Sequence, residues 1–72
     1  MSDQVEKILK MIREIKKQIA EKQAQLQQVM ANSSLNPEQA RAQAAGLQAA
    51  IAGLSAALLN ANASLVKAMK DL

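Results

Sequence analysis

Serine hydroxyls are the side chains of this sequence that most resemble catalytic nucleophiles, and they stand at Ser2, Ser33, Ser34, Ser55 and Ser64. A serine attacks a substrate only when an activating base lies beside it, and this is most often a histidine. The chain contains neither histidine nor cysteine. We therefore interpret the serines as turn residues and small packing residues, and we expect no catalytic residue.

The carboxylates are the second group that could do chemistry. The six Asp and Glu side chains are dispersed among outer helix positions, so no paired acid and base is indicated. The absence of His and Cys removes the usual zinc ligands, and Gly46 and Gly53 fall inside a helical pattern rather than in a phosphate-binding loop. We expect no metal site, no cofactor site and no enzyme.

Basic residues offer a nucleic-acid hypothesis, because Lys10, Arg13 and Lys17 share one face of the first predicted helix and the net charge is +3. Glu14 and Glu21 lie among them, and the chain has no aromatic side chain to stack on a base. A solvated, mixed-charge face is the favoured interpretation. Binding of nucleic acid or of a membrane surface through this face is kept as a further alternative.

The small size of the chain then favours association. A domain of 72 residues buries only about 60% of the surface of its unfolded chain and is marginally stable alone. Disulfides are impossible here, and without Phe, Trp or Tyr the core must gain its stability from many modest contacts. Repeated packing of helices provides such contacts.

The first half predicts a helix over residues 3–31. Asp3 is the expected N-cap, with Glu6 completing a capping box. Lys22 interrupts the apolar heptad series, either as a side chain that lies along the seam with its ammonium in solvent or as a selector of register or partner. The series itself alternates steps of three and four residues: Val5, Ile8, Ile12, Ile15, Ile19, Leu26 and Val29.

A second helix is predicted over residues 37–70, after a polar turn at 32–36. Asn36 is placed as its N-cap and Pro37 as its first residue, and the short turn makes it an antiparallel neighbour of the first helix. Gly46 and Gly53 are one heptad apart, which indicates either close approach of another backbone or neutral tolerance. The predicted seam is Ala40, Ala44, Leu47, Ile51, Leu54, Leu58, Ala61, Leu65, Ala68 and Leu72.

No charged residue occurs between Ala42 and Val66, and we expect other helices to cover more than one side of this stretch. Leu59, Val66 and Met69 lie off the main seam as a second apolar strip, and a larger side chain at Ala57 is expected to disrupt assembly. The stretch reaches membrane length, but its Gln, Asn and Ser residues make it less apolar than a spanning helix requires.

The C-terminal segment Asn60–Leu72 shows an N-A-x-x-x-x-V-K-x-x-K-D-hydrophobic pattern, and together with the Asn36-Pro37 turn it resembles the subunits of type III secretion needles. Those proteins are helical hairpins with a Pro-containing polar turn. The resemblance implies a subunit of a helical filament, with Val66, Lys67, Lys70 and Asp71 near a subunit interface or a lumen.

The sequence as a whole predicts a single all-α domain over residues 1–72, an antiparallel helical hairpin that self-associates into a bundle or filament. We expect a structural or assembly subunit that forms homo-oligomers, and the alternative is a small adaptor or chaperone subunit that binds a different protein through its second helix. The predicted interface residues are Leu47, Ile51, Leu54, Leu58, Leu59, Leu65, Val66 and Met69, and the predicted hairpin core is Ile8, Ile12, Ile15, Ile19 and Leu26.

Localisation is left open between the cytoplasm and export by a non-classical route, since no cleavable signal peptide and no transmembrane helix is expected.

Overall fold

The computed structural model describes residues 2–32, 34 and 36–72. Helix α1 runs over Asp3–Ala31 and helix α2 over Pro37–Lys70, and no strand occurs in the described ranges. The two helices pack against each other along their length. The predicted all-α helical hairpin is therefore confirmed. Ser33 and Leu35 of the predicted turn lie outside the described residues.

The core lies between large branched side chains of α1 and small side chains of α2. Its buried members are Val5, Ile8, Ile12, Ile15, Ala61 and Ala68, and each is at most 9% exposed. Partly buried side chains pack around this cluster, namely Leu9, Ile19, Leu54, Ala57, Leu58 and Leu65. Because alanine occupies little space, the branched residues of α1 can approach the backbone of α2 closely at these levels.

This core occupies the end of the hairpin that is remote from the turn. Its buried residues come from the first half of α1 and the last third of α2. Near the turn, seam residues such as Leu26, Val29 and Leu47 are only half-buried. The seam is continuous, but its packing becomes more open toward the turn.

The start of α1 corrects one sequence expectation. The N-cap is Ser2 rather than Asp3, and its hydroxyl accepts a hydrogen bond from the backbone N–H of Val5 at 3.2 Å. Asp3 is the first helical residue, where a carboxylate is favourable beside the positive end of the helix dipole. Serine and aspartate are similarly good N-caps, so their order alone did not decide between them.

At the start of α2, the Asn36 side chain accepts a hydrogen bond from the N–H of Glu38 at 2.8 Å, and Pro37 occupies the first turn. In the turn, the Asn32 side-chain oxygen accepts from both the N–H and the hydroxyl of Ser34, at 3.1 and 2.6 Å. These bonds satisfy polar groups that neither helix can pair internally.

Candidate interaction surface

The predicted hairpin core divides by depth along α1. Ile8, Ile12 and Ile15 are buried, whereas Ile19 and Leu26 are half-buried. Lys22 is half-buried at its seam position, while the other charged side chains of the described ranges are exposed. A long aliphatic stem along the seam accounts for that partial burial.

The eight residues predicted as an interface separate into two groups. One group is half-buried on the side that faces α1, so part of its apolar area is already used inside the hairpin: Leu47, Ile51, Leu54, Leu58 and Leu65. The other group is exposed: Leu59 at 72%, Val66 at 52% and Met69 at 56%. Only the second group offers large apolar side chains to a partner without opening the hairpin.

Two further residues of α2 and its C-terminal end, Leu72 and Ala57, behave differently from expectation. Leu72 is 73% exposed, because α2 ends at Lys70 and the helical seam does not continue to Leu72. Ala57 is half-buried and packs against the hairpin core. A larger side chain at Ala57 is therefore expected to disrupt the packing of α2 on α1 before it affects assembly.

Sequence reasoning missed a second heptad series on α2. Its members stand alternately one and two residues after a residue of the main seam, and they repeat with the same alternation of four and three residues. We call it the outer face, and it consists of Ala45, Ala49, Ala52, Ala56, Leu59, Ala63 and Val66, all of them exposed. At about 100° per residue, its centre lies roughly 150° around the helix from the side that packs on α1. The signal was available as a 3-4 spacing, but alanine gives a weak hydrophobic contrast.

The outer face is flanked by uncharged residues on both sides. Gln48, Ser55 and Asn62 follow one edge, and Gly46, Gly53 and Asn60 follow the other, all of them exposed. A Cβ built on either glycine would meet nothing within 4 Å, and neither glycine has positive φ. Inside the hairpin, no backbone passes close to the two glycines. They therefore either contact the backbone of a partner or are tolerated in the helix without a role.

The charged side chains are concentrated elsewhere. The exposed side of α1 carries Lys10, Arg13 and Lys17 together with Glu14 and Glu21. Its one side-chain hydrogen bond among the described residues joins the Gln18 amide to the Glu14 carboxylate at 3.2 Å. The hairpin thus has a charged α1 side and a neutral α2 side.

The hairpin exposes more surface than a compact chain of its size. Its extents are 54 × 15 × 11 Å and its radius of gyration is 16.4 Å, against about 11 Å for a globular domain of this length. Its accessible surface is 5385 Å², whereas a folded monomer of 7.7 kDa would expose about 4,300 Å². The excess of roughly 1,000 Å² exceeds the ~800 Å² that each partner buries in a standard protein interface.

Helix α2 is also long and apolar enough to cross a membrane by the criteria of length and composition. Little of its most apolar window is buried inside the hairpin. The core helices of soluble proteins satisfy the same criteria, so the finding alone does not separate a lipid partner from a protein partner. The polar residues on the two edges of the outer face, such as Ser55 and Asn62, help to distinguish a lipid partner from a protein partner.

An open groove of about 560 Å³ lies between the two helices near the turn. Its lining has no charged side chain and consists of Gln25, Gln28, Val29, Asn32, Gln43, Gly46 and Leu47. Within the described ranges, no cluster of three carboxylates is arranged to hold a metal ion. The uncovered outer face is consequently the most extensive candidate functional feature of the hairpin.

Comparison with protein-family models finds no match, and comparisons with curated proteins and with solved structures find none either. The needle-subunit resemblance therefore remains an interpretation of the Asn60–Leu72 pattern and the Asn36-Pro37 turn.

Proposed function

We propose that this chain is a non-enzymatic structural subunit that self-associates through the outer face of α2. The nearest named class is the filament subunit of a secretion system, which the Asn60–Leu72 pattern suggests. The observation that carries the proposal is the exposure of Leu59, Val66 and Met69 on a helix whose other side already packs on α1.

The first support is the cost of leaving this face in water. Apolar area removed from water contributes about 25 cal/mol per Å², and a small two-helix unit has little other stability to offset its chain entropy. Association of copies through α2 would bury the outer face and so reduce the surface that the elongated hairpin exposes. Such coupling is typical of small chains that fold and assemble together.

The second support is the neutrality of the outer face and its two edges. A partner surface that fits it must itself be apolar and uncharged at its centre, and the same face on another copy has these properties. A bilayer is a poorer match, because Ser55, Asn60 and Asn62 beside the face would be removed from water without defined hydrogen-bond partners.

The test compares two polar substitutions at equally exposed apolar positions. Leu59→Gln alters the outer face, and Met30→Gln alters α1 near the turn; the two side chains are 72% and 74% exposed. Sedimentation velocity over a concentration series should show smaller assemblies for Leu59→Gln and unchanged assemblies for Met30→Gln.

Equal sedimentation of both variants and of the unsubstituted chain would contradict the proposal. A poorly helical monomer under all conditions would instead favour the adaptor hypothesis, in which a different protein completes the fold.

A further inference from the structure

We propose that the second copy packs on the outer face in the antiparallel direction, so that two hairpins form a two-fold symmetric unit with their α2 helices at its centre. This inference rests on the proposed self-association and adds its geometry. It follows from the sizes of the outer-face side chains, from the charges at the two ends of α2 and from the area that the hairpin leaves exposed.

The outer face changes in side-chain size along its length. Its first four members, Ala45, Ala49, Ala52 and Ala56, are all alanines. Its last three are Leu59, Ala63 and Val66, and Met69 is exposed just beyond them. The face is therefore flat toward the turn and raised toward the C-terminal end of α2.

Two such faces are complementary only when they run in opposite directions. In an antiparallel pair centred near Ala56, Leu59 lies opposite Ala52 of the second copy and Val66 lies opposite Ala45. At both of these levels one large side chain meets one small one, so the helix axes stay at a similar distance at the two ends of the face. In a parallel pair, leucine would meet leucine at one end and alanine would meet alanine at the other, which leaves the alanine end underpacked.

The ends of α2 favour the same direction. Lys67 and Lys70 lie in its last turn and Glu38 in its first turn. Antiparallel pairing keeps the lysines of the two copies apart and places helix dipoles of opposite direction side by side, with Lys70 at the level of Arg41 of the second copy. Parallel pairing would instead gather the lysines of both copies at one end.

The exposed surface of the hairpin is large enough for a second copy of this chain to form an interface of standard size. The hairpin's excess of roughly 1,000 Å² exceeds the ~800 Å² that each partner contributes to a standard interface. In the resulting row of four helices, the charged sides of α1 face solvent at both edges. Two-fold pairing is closed, so growth into a filament would require an additional contact, for which the open groove near the turn is available.

The experiment uses disulfide trapping, since the chain has no cysteine of its own. Three single variants are prepared in the full chain: Ala45→Cys, Ala56→Cys and Val66→Cys. Each is oxidised with copper phenanthroline, alone and as an equimolar mixture of the Ala45→Cys and Val66→Cys chains. Residues 45 and 66 are separated by about 32 Å along an α-helix, so the two pairing directions give different products.

We expect the mixture to yield the 45–66 heterodisulfide as its main dimer, while Ala45→Cys and Val66→Cys alone yield none. Ala56→Cys should link to itself because it lies near the two-fold axis. Glu14→Cys, on the exposed side of α1, is the negative control. Ala49→Cys with Asn62→Cys forms a second pair at matching levels, which leaves Leu59 and Val66 intact should the first pair assemble poorly.

The remaining outcomes overturn the inference in distinguishable ways. Self-linking of Ala45→Cys and of Val66→Cys would show parallel pairing, and assembly without any of these links would show that another face is used; the proposed self-association survives both results. A chain that stays monomeric at every concentration would remove the proposed function as well. Linking that occurs only with added phosphatidylcholine–phosphatidylglycerol vesicles would make lipid, not a second copy, the first occupant.

Discussion

Leu58 and Leu59 are consecutive in the chain, yet they have opposite environments. The Leu58 side chain is half-buried and packs against the core formed with α1, while the Leu59 side chain is 72% exposed on the outer face. The contrast shows that α2 has two apolar sides and that α1 covers one of them. The predictions below separate residues that stabilise the hairpin from residues that stabilise its assembly.

Ile12 and Met11 form a matched pair for the hairpin core. Ile12 is 6% exposed in the core and Met11 is 52% exposed. Ile12→Ala should lower the free energy of unfolding by about 2–5 kcal/mol, because it removes buried methyl groups and leaves a cavity. Met11→Ala should change it by less than about 0.5 kcal/mol.

Urea denaturation followed by circular dichroism at one fixed protein concentration measures both changes, since assembly makes stability depend on concentration. Similar losses for the two variants would contradict the placement of the core.

Ala56 and Ala57 test the separation of the two sides with neighbouring residues. Ala57 packs against the hairpin core and Ala56 is exposed on the outer face. Ala57→Leu should overpack the hairpin and reduce its unfolding free energy by about 1–3 kcal/mol. Ala56→Leu should weaken assembly, as measured by light scattering, and should lower helicity only at concentrations at which the assembly has dissociated. A reversal of these two phenotypes would contradict the assignment of sides.

Gly46 and Gly53 lie in the middle of α2 with open space where a Cβ would be. Replacing both with alanine should raise the stability of the helix by about 0.5–1 kcal/mol per site, since glycine loses more backbone entropy on folding than alanine does. Thermal melts should shift upward, and the size of the assembly should not change. A smaller assembly would show instead that the backbone of a partner approaches these glycines.

Lys22 occupies an apolar level of the α1 seam and is half-buried there. Lys22→Leu should stabilise the hairpin by about 1 kcal/mol, because an aliphatic side chain adds apolar burial without having to keep an ammonium in water. Chemical denaturation measures the gain, and Lys16→Leu, at an exposed position, is the control. If the variant instead forms a broad mixture of assembly sizes, Lys22 acts as a selector of register.

The all-α hairpin could be predicted because its signals are local and repeated. Seven apolar residues at heptad spacing specify the buried side of α1, and Asn36-Pro37 specifies where α2 begins. These features depend only on which residues are close in sequence, so they can be predicted without knowing how the helices are arranged in space. The helical pairing then follows from the short turn.

The remaining features depend on how the two helices pack, and the spacing of apolar residues does not specify them. Ser2 rather than Asp3 caps α1. Both residue types are good N-caps, so the sequence alone did not show at which of the two residues the helix begins. The apolar spacing groups Leu54, Leu58 and Leu65 with Leu59 as interface residues, whereas the hairpin already uses part of the apolar area of these three leucines. The outer face itself consists mostly of alanine, whose single methyl group offers too little apolar area to mark a second buried side as clearly as leucine or isoleucine does.

The central claim is that the outer face of α2 needs a second copy of the chain, and sedimentation equilibrium of the purified, unsubstituted chain tests it most directly. Circular dichroism of the same samples measures whether the helix content falls together with the molecular mass when the protein is diluted. We expect a mass that is a multiple of 7.7 kDa and a loss of helix as the assembly dissociates. A fully helical monomer of 7.7 kDa that persists from dilute to concentrated solution would contradict the claim.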